Sequence, residues 1–306
     1  MNFQELIRSL KSKDTHLSFS SLKQFAKSPE HFVRYKLEKF LPTPAMIFGS
    51  LVDCLIFTED KLQDKFIIGA TIPTSENQKL FCETLIPAAI ENDNEITPDM
   101  IKFAFLEAYK KGNPEDVYLK LKSYIEGILA GKDVITQEEL DHAKKLKETL
   151  YRNKAGARLM NEITTTQHKL EWNYLGWDFV GYADGTGENV LMDLKVTDAD
   201  PKKVARFIWD RKTYVQLAMY YMALGKNIEK FKILAIDKGL NVSVTEISED
   251  YILYGIQEFK GWVRDFNKCI MLNRFTYNYD FFGKHKGEYH ITKPLYADEL
   301  MQVYDE

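Results

Sequence analysis

The sequence predicts an α/β protein: a mixed β-sheet flanked by helices, with a helical N-terminal region and a helical insert. Three observations carry that expectation. Residues 1–57 and 76–150 place apolar side chains mainly at helical spacing. Three short β-rich segments follow residue 163, separated by glycine-containing turns. A helix, two further strands and a closing helix then give the order β-β-β-α-β-β-α, which suits a mixed sheet covered by helices.

The elements follow in order. Phe3, Leu6, Ile7 and Leu10 give residues 1–12 an apolar helical face. In LSFSSLKQFAKSPEHFVRYKLEKF (17–40), Ser20 or Ser21 is expected to cap a helix facing inward through Leu22, Phe25 and Ala26. Pro29 opens a second helical run, and Leu41-Pro42-Thr43-Pro44 is a rigid connector. AMIFGSLVDCLIF (45–57) has one charge, Asp53. Residues 76–150 read as helices with polar connections, including Gly112-Asn113-Pro114 and a run from Gln137 to Asn153. TTTQHKLEWNYL, WDFVGYAD and NVLMDLKV form a strand meander, turning at Leu175-Gly176 and at Gly185–Glu188. Residues 201–224 read as one helix opened by Pro201 after Asp200. FKILAID (231–237) and NVSVTEI (241–247) are strands around Lys238-Gly239-Leu240, and 249–272 is the closing helix. In the tail 274–306, Phe275, Tyr277, Tyr279 and Phe281 alternate as along a strand, which suits an arm or an oligomer contact.

Composition narrows the function classes. Of 306 residues, 45% are hydrophobic and 28% charged, ordinary for a globular protein. The net charge of −4 excludes a protein that coats nucleic acid uniformly. Cys54, Cys82 and Cys269 are too few and too scattered for a disulfide framework or a four-cysteine metal site. MNFQELIRSLKSKD lacks the apolar run of a signal peptide, and no stretch approaches the roughly 18 apolar residues of a membrane span. A cytoplasmic protein without a membrane partner is expected. No GxxxxGK[ST], HExxH or GxSxG pattern occurs, and His285 and His290 read as isolated structural histidines.

The chemistry concentrates around Asp184 and Asp193-Leu194-Lys195. On a strand, Val190, Met192, Leu194 and Val196 share one face, and Leu191, Asp193 and Lys195 the other. A short turn can bring the two carboxylates together, and close carboxylates repel unless a cation lies between them, the elementary form of a Mg²⁺ site. A surface hairpin with an Asp–Lys ion pair would use the same residues. Asp53 is a candidate third ligand, because a carboxylate in an apolar helix needs a partner; a Lys or Arg would also satisfy it. Gln216 and Tyr220 are i,i+4 neighbours, suited to phosphate contact or to packing at the sheet margin. Lys202, Lys203, Arg206, Arg211 and Lys212 face only Asp210 in charge, as a polyanion-binding strip or a solvated helix face would.

Together these residues resemble the PD-(D/E)XK nuclease superfamily, most nearly the phage-type exonuclease VIII (RecE-like) nuclease domain. Four blocks carry the resemblance: LSFSSLKQFAKSPEHFVRYK (17–36), FGSLVDCLIFTED (48–60), GYADG…DLK (181–195) and Gln216-x-x-x-Tyr220. It implies a restriction-endonuclease-like core in a single nuclease domain. Residues 1–75 would be its N-terminal helical part, 76–160 its insert, 161–273 its catalytic core and 274–306 its tail. It implies a Mg²⁺-dependent DNA exonuclease, with Mn²⁺ as a substitute, digesting linear duplex DNA from 5′ to 3′ in phage-type recombination or DNA processing. By position, Asp184, Asp193 and the Leu194 carbonyl would hold the metal with Asp53, and Glu171 would be either an outer ligand or a solvent-facing strand acid. Lys195 would orient or help deprotonate the attacking water, and Gln216 and Tyr220 would line the DNA side. Asp53 departs from the family, which usually has histidine there; aspartate is a hard oxygen ligand suited to Mg²⁺. The resemblance also implies duplex DNA ends as partner, a ring-shaped homo-oligomer, a single-strand annealing recombinase, and a bacterial host cytoplasm if the chain is phage-encoded. An endonuclease using the same site, structure-specific or single-strand-specific, and a catalytically silent DNA- or partner-binding protein are the competing expectations.

Overall fold

The computed structural model describes residues 2–38, 42–197, 204–225 and 227–275. Expectations for Pro201, Lys202, Lys203 and the strand-like tail beyond Phe275 lie outside the described residues. The chain forms two compact units, one within residues 1–39, 173–179 and 258–306, the other within 40–172 and 180–257.

The first unit contains α1 (Phe3–Ser12), α2 (Phe19–Lys27) and α3 (Pro29–Leu37). Ser18, not Ser20 or Ser21, caps α2. A capping residue must stand outside the helix with extended backbone, so that its hydroxyl can reach back to the free amides of the first turn. Ser18 does this for the Ser21 amide, and the Ser21 hydroxyl accepts in return from the Ser18 amide at 2.9 Å. The core is aromatic: the rings of Phe25, Phe32 and Trp177 meet Phe266 edge-on at 5.0, 4.9 and 5.2 Å. Trp177 donates its indole N–H to the Asn267 side chain at 2.9 Å, so the buried ring keeps a polar partner.

The second unit holds α4 (Pro44–Phe57), the short α5 (Leu62–Lys65), the insert helices α6 (Glu76–Glu91), α7 (Pro98–Ala108) and α8 (Pro114–Leu129), then α9 (Gln137–Arg152) and α10 (Lys154–Glu162). Its sheet has the order β3-β4-β5-β6-β7, with β3 at Thr165–Tyr174, β4 at Trp177–Thr186, β5 at Val190–Thr197, β6 at Lys230–Asp237 and β7 at Val242–Ile247; residues 173–179 count with the first unit. β4–β5 and β6–β7 are antiparallel and β5–β6 is parallel, so the sheet is mixed as expected. A parallel pair needs a crossover, and α11 (Val204–Arg211) and α12 (Thr213–Leu224) lie in it. Leu51, Val52 and Leu55 of α4 pack with Leu146 of α9 and with Met192 and Leu194 of β5 in one core. α6, α7 and α8 bury a core of their own around Phe81, Leu85, Phe105 and Leu121.

Two features differ from the sequence reading. β1 (Phe66–Ile68) and β2 (Asp133–Ile135) form a separate parallel pair; three residues are too few to show an alternation. The expected single helix over 201–224 is broken at Lys212, whose φ of 57° is left-handed. Its amide closes back on the Trp209 carbonyl at 3.0 Å, ending the regular ladder of α11 before α12 begins. The closing helix, α13 (Glu249–Leu272), has the expected bounds. No helix among the described residues is long and apolar enough to cross a membrane.

Candidate active site

The site grows from the β4–β5 hairpin. Gly187 closes it with its amide on the Val190 carbonyl at 2.9 Å. A Cβ there would stand 2.0 Å from the Glu162 carbonyl, a close approach that only glycine tolerates. Gly185 pairs with Met192 and Thr186 with Leu191, and continuing that register sets Asp184 opposite Asp193. The Leu194 amide donates to Asp184 Oδ2 at 2.7 Å, so at this step a carboxylate takes up a strand amide. β5 is a central strand, and residues 190–194 are buried on both of its faces. The Asp193–Lys195 ion pair therefore forms in the interior: Asp193 is 2% exposed, and Lys195 Nζ lies 2.6 Å from its Oδ2. Lys195 is the charged partner of that buried oxygen.

Asp53 reaches the same region from α4. It is half-buried, and its Oδ2 accepts from Gln167 Nε2 at 2.9 Å. Gln167 sits within β3 at a φ of 48°, left-handed backbone in the middle of a strand. For a residue with a Cβ this costs on the order of 1–2 kcal/mol, and such outliers cluster at functional sites. Neither Gln167 nor Lys65, whose charge also acts on Asp53, was apparent in the sequence. The segment TTTQHKLEW shows β-forming residues, and nothing in its composition encodes one inverted φ.

The electrostatics show that the three acids act on one another. Burial pushes Asp53 up to about 6; Lys65 and the Gln167 hydrogen bond oppose this, while Asp193 reinforces it. Burial, then the charges of Asp193 and Asp53, push Asp184 up to about 8 against the pull of Lys195 and the Leu194 amide. Burial alone would lower the Lys195 ammonium, but Asp193, Asp184 and Asp53 together outweigh it and raise its pKa. Lys195 is thus held as a cation among carboxylates.

α12 supplies the wall. Tyr220 is buried at 6% exposure, and Gln216 Nε2 donates to its hydroxyl at 3.3 Å. Burial first, then the nearby charges of Asp193 and Asp184, push the Tyr220 phenol up to about 12, so it remains a neutral hydrogen-bonding group. Gly181 makes room for its ring: a Cβ there would lie 2.5 Å from Tyr220 Cε1.

The structure brings Asp53, Asp184, Asp193, Lys195, Gln216 and Tyr220 into one electrostatic neighbourhood. It does not bring Glu171 there. That residue is exposed, pairs with Lys169 at 2.6 Å, and lies about 13 Å along β3 from Gln167 at strand rise. Arg206 and Arg211 are exposed on α11, with Arg206 paired to Asp210 at 3.4 Å, and Lys212 is half-buried at the head of α12. Lys202 and Lys203 fall outside the described residues.

The donor set fits a hard divalent cation. Asp53, Asp184 and Asp193 outnumber Lys195, and their mutual repulsion contributes to two raised pKa values. Among the described residues no three such side chains converge in ligating geometry: Asp193 turns to Lys195, Asp184 to the Leu194 amide and Asp53 to Gln167.

Comparison with known proteins accords with this fold. Residues 18–277 match the family described as "PDDEXK-like domain of unknown function (DUF3799)". Among solved structures, the crystal structure of a "Putative exonuclease" from Eubacterium rectale superposes with a TM-score of 0.53 at 14% identity, covering 98% of each chain, which supports the fold. The structure of SSO0001, at a TM-score of 0.28 and 16% identity over 74% of this chain and 85% of its own, is too distant to add to that. No curated protein matches the chain in sequence. With the family match running through all four blocks and the mixed sheet in place, the chain belongs to the PDDEXK-like family, within the PD-(D/E)XK nuclease superfamily.

Proposed function

We propose that the chain is a metal-dependent deoxyribonuclease of the exonuclease VIII (RecE-like) type, digesting linear duplex DNA from its ends, 5′ to 3′. The observation that supports it best is the clustering of half-buried Asp184 and Lys195 about buried Asp193, with Asp53 beside them, in a nuclease-like fold. Crowding three acids about one lysine, with Asp193 buried and the others half-buried, is costly without a compensating ligand. Asp184, Asp193, the Leu194 carbonyl and Asp53 would hold Mg²⁺, or Mn²⁺ in its place, which supplies a Lewis acid for the scissile phosphate. Lys195, kept protonated by its neighbours, donates to the attacking water or to a phosphate oxygen and stabilises developing negative charge. Gln216 offers its amide from the α12 side, positioned by the Tyr220 hydroxyl. Arg206, Arg211 and Lys212 contribute phosphate contacts along the strand.

The exonuclease reading is separated from its competitors by substrate topology. With Mg²⁺, the protein is expected to release nucleotides from linear duplex DNA and to leave covalently closed circles intact. Cutting of closed circles would make it an endonuclease. Absence of cleavage with either Mg²⁺ or Mn²⁺, together with retained DNA binding, would make it a silent binding protein. Digestion of substrates protected at one 5′ or 3′ terminus assigns the polarity. A ring-shaped oligomer and a recombinase partner belong to the same proposal and are tested by solution mass and by co-purification.

A further inference from the structure

At the N-terminal end of α12, the helix that carries Gln216 and Tyr220, the elements α11, α12 and α13 build an aromatic step that nuclease chemistry does not itself require. Trp209, Tyr214, Tyr251 and Tyr254 stack nearly parallel: Trp209 lies 5.5 Å from Tyr214 at 16°, 6.3 Å from Tyr251 at 8° and 6.0 Å from Tyr254 at 16°. Tyr214 anchors the stack at 0% exposure, whereas Trp209 and Tyr254 are 43% and 49% exposed. Trp209 and Tyr254 lie side by side and are both partly in solvent, so they form an exposed aromatic patch and not isolated surface side chains. Cations border the step. Lys212 Nζ stands 4.5 Å from the Trp209 ring centre and donates to the Tyr214 hydroxyl at 3.0 Å, and the Arg211 guanidinium lies 5.5 Å from the Phe207 ring. Flat apolar faces bordered by positive charge complement a strand of stacked bases and phosphates.

The step is also continuous with the site. Lys212 stands at the N-terminal end of α12, and Gln216 and Tyr220 follow as i,i+4 neighbours on one side of that helix, at about 6 Å of rise per four residues. A strand whose phosphate entered the carboxylate group past Gln216 would carry its neighbouring nucleotides toward Lys212 and Trp209. We propose that Trp209 and Tyr254, bordered by Arg211 and Lys212, form a stacking platform for an unpaired base of the DNA strand being cut. The preferred substrate is then an end with a single-stranded segment. The choice of DNA as ligand rests on the nuclease reading above.

The test uses the full chain in chelator, so that binding is read without cleavage, with an oligothymidylate of about ten nucleotides as probe. Of the four tryptophans, Trp177 and Trp262 are buried, Trp172 is half-buried and Trp209 is the most exposed, so binding at the platform should quench emission that Trp209→Phe removes. Trp209→Ala is expected to weaken binding by about 5- to 150-fold, the range measured for losing one base–aromatic stack. Its salt dependence should be unchanged, because a ring neutralises no phosphate. Trp209→Phe should retain most of the affinity, and Arg211→Ala should lower the salt slope by about one phosphate contact. Oligothymidylate affinity unchanged in both Trp209→Ala and Tyr254→Ala would overturn the platform. If the wild type still cleaves linear duplex DNA in that case, the nuclease reading survives. Quenching and Trp209-dependent binding without any cleavage would support the platform while removing the nuclease reading.

Discussion

Replacing Asp184 by Asn should make the metal-free protein more stable at alkaline pH, although it removes a proposed ligand. Burial and the neighbouring acids raise Asp184 from 3.8 to about 8. The folded state therefore holds a proton that the unfolded state has released across that window, and stability falls as pH rises through it. At about 1.4 kcal/mol per unit, a rise of about 4 units sets a ceiling of about 6 kcal/mol on the destabilisation by the ionised group. The variant does not recover all of this. Asn accepts the Leu194 amide less strongly than a carboxylate does, and Lys195 loses one of its anionic neighbours. A net gain of about 1–3 kcal/mol remains, or about 2–5 °C in Tm for a chain of 306 residues. Thermal unfolding in chelator should show Asp184→Asn above the wild type near pH 8.5, with the gap narrowing toward pH 4. Mg²⁺ should then stabilise the wild type and leave the variant unmoved. A variant less stable than the wild type at alkaline pH without metal, or a gap that ignores pH, would refute the electrostatic reasoning.

Two further substitutions address the support of the site. Gln167→Leu removes the donor that favours ionised Asp53, so the Asp53 pKa should climb above its present value of about 6. The acid limb of the pH–rate profile should move upward with it, and cleavage should fall by about 10- to 100-fold, as for other residues that orient a ligand. An unshifted acid limb would show that Gln167 does not act through Asp53. Gly181→Ala places a methyl 2.5 Å from the ring of Tyr220, which is buried and has no room to retreat. Urea denaturation should show a loss of about 1–3 kcal/mol from overpacking; unchanged stability would mean that α12 shifts freely against β4.

Most of the fold was legible because its elements are long and their patterns strong. β5 and α13 carry apolar residues in registers that admit one reading, and both have nearly the expected bounds. Asp184, Asp193 and Lys195 could be placed together because a hairpin of known turn length converts sequence distance into spatial proximity. Asp53 could be singled out because a charge within an apolar helix demands a partner, though only the structure identifies Gln167 as that partner. What stayed hidden depends on single backbone angles. The left-handed Lys212 divides an apparently continuous helix, and the left-handed Gln167 aims its amide at α4. Neither residue type favours that conformation, so tertiary packing selects it. Glu171 illustrates the opposite limit: strand and residue type suggested an outer ligand, but its distance along β3 sets it apart from the acids.

The measurement that bears most directly on the central claim is cleavage of end-labelled linear duplex DNA by the wild type and by Lys195→Ala, each with Mg²⁺ and with chelator. Lys195 lies 2.6 Å from Asp193 and is the lysine that the Asp53, Asp184 and Asp193 charges act on together. Cleavage by the wild type is expected with Mg²⁺ and not with chelator, with a loss of at least about a hundredfold in Lys195→Ala, the scale of removing one preorganised donor to a transition state. Equal rates for wild type and variant, or cleavage that persists in chelator, would contradict it.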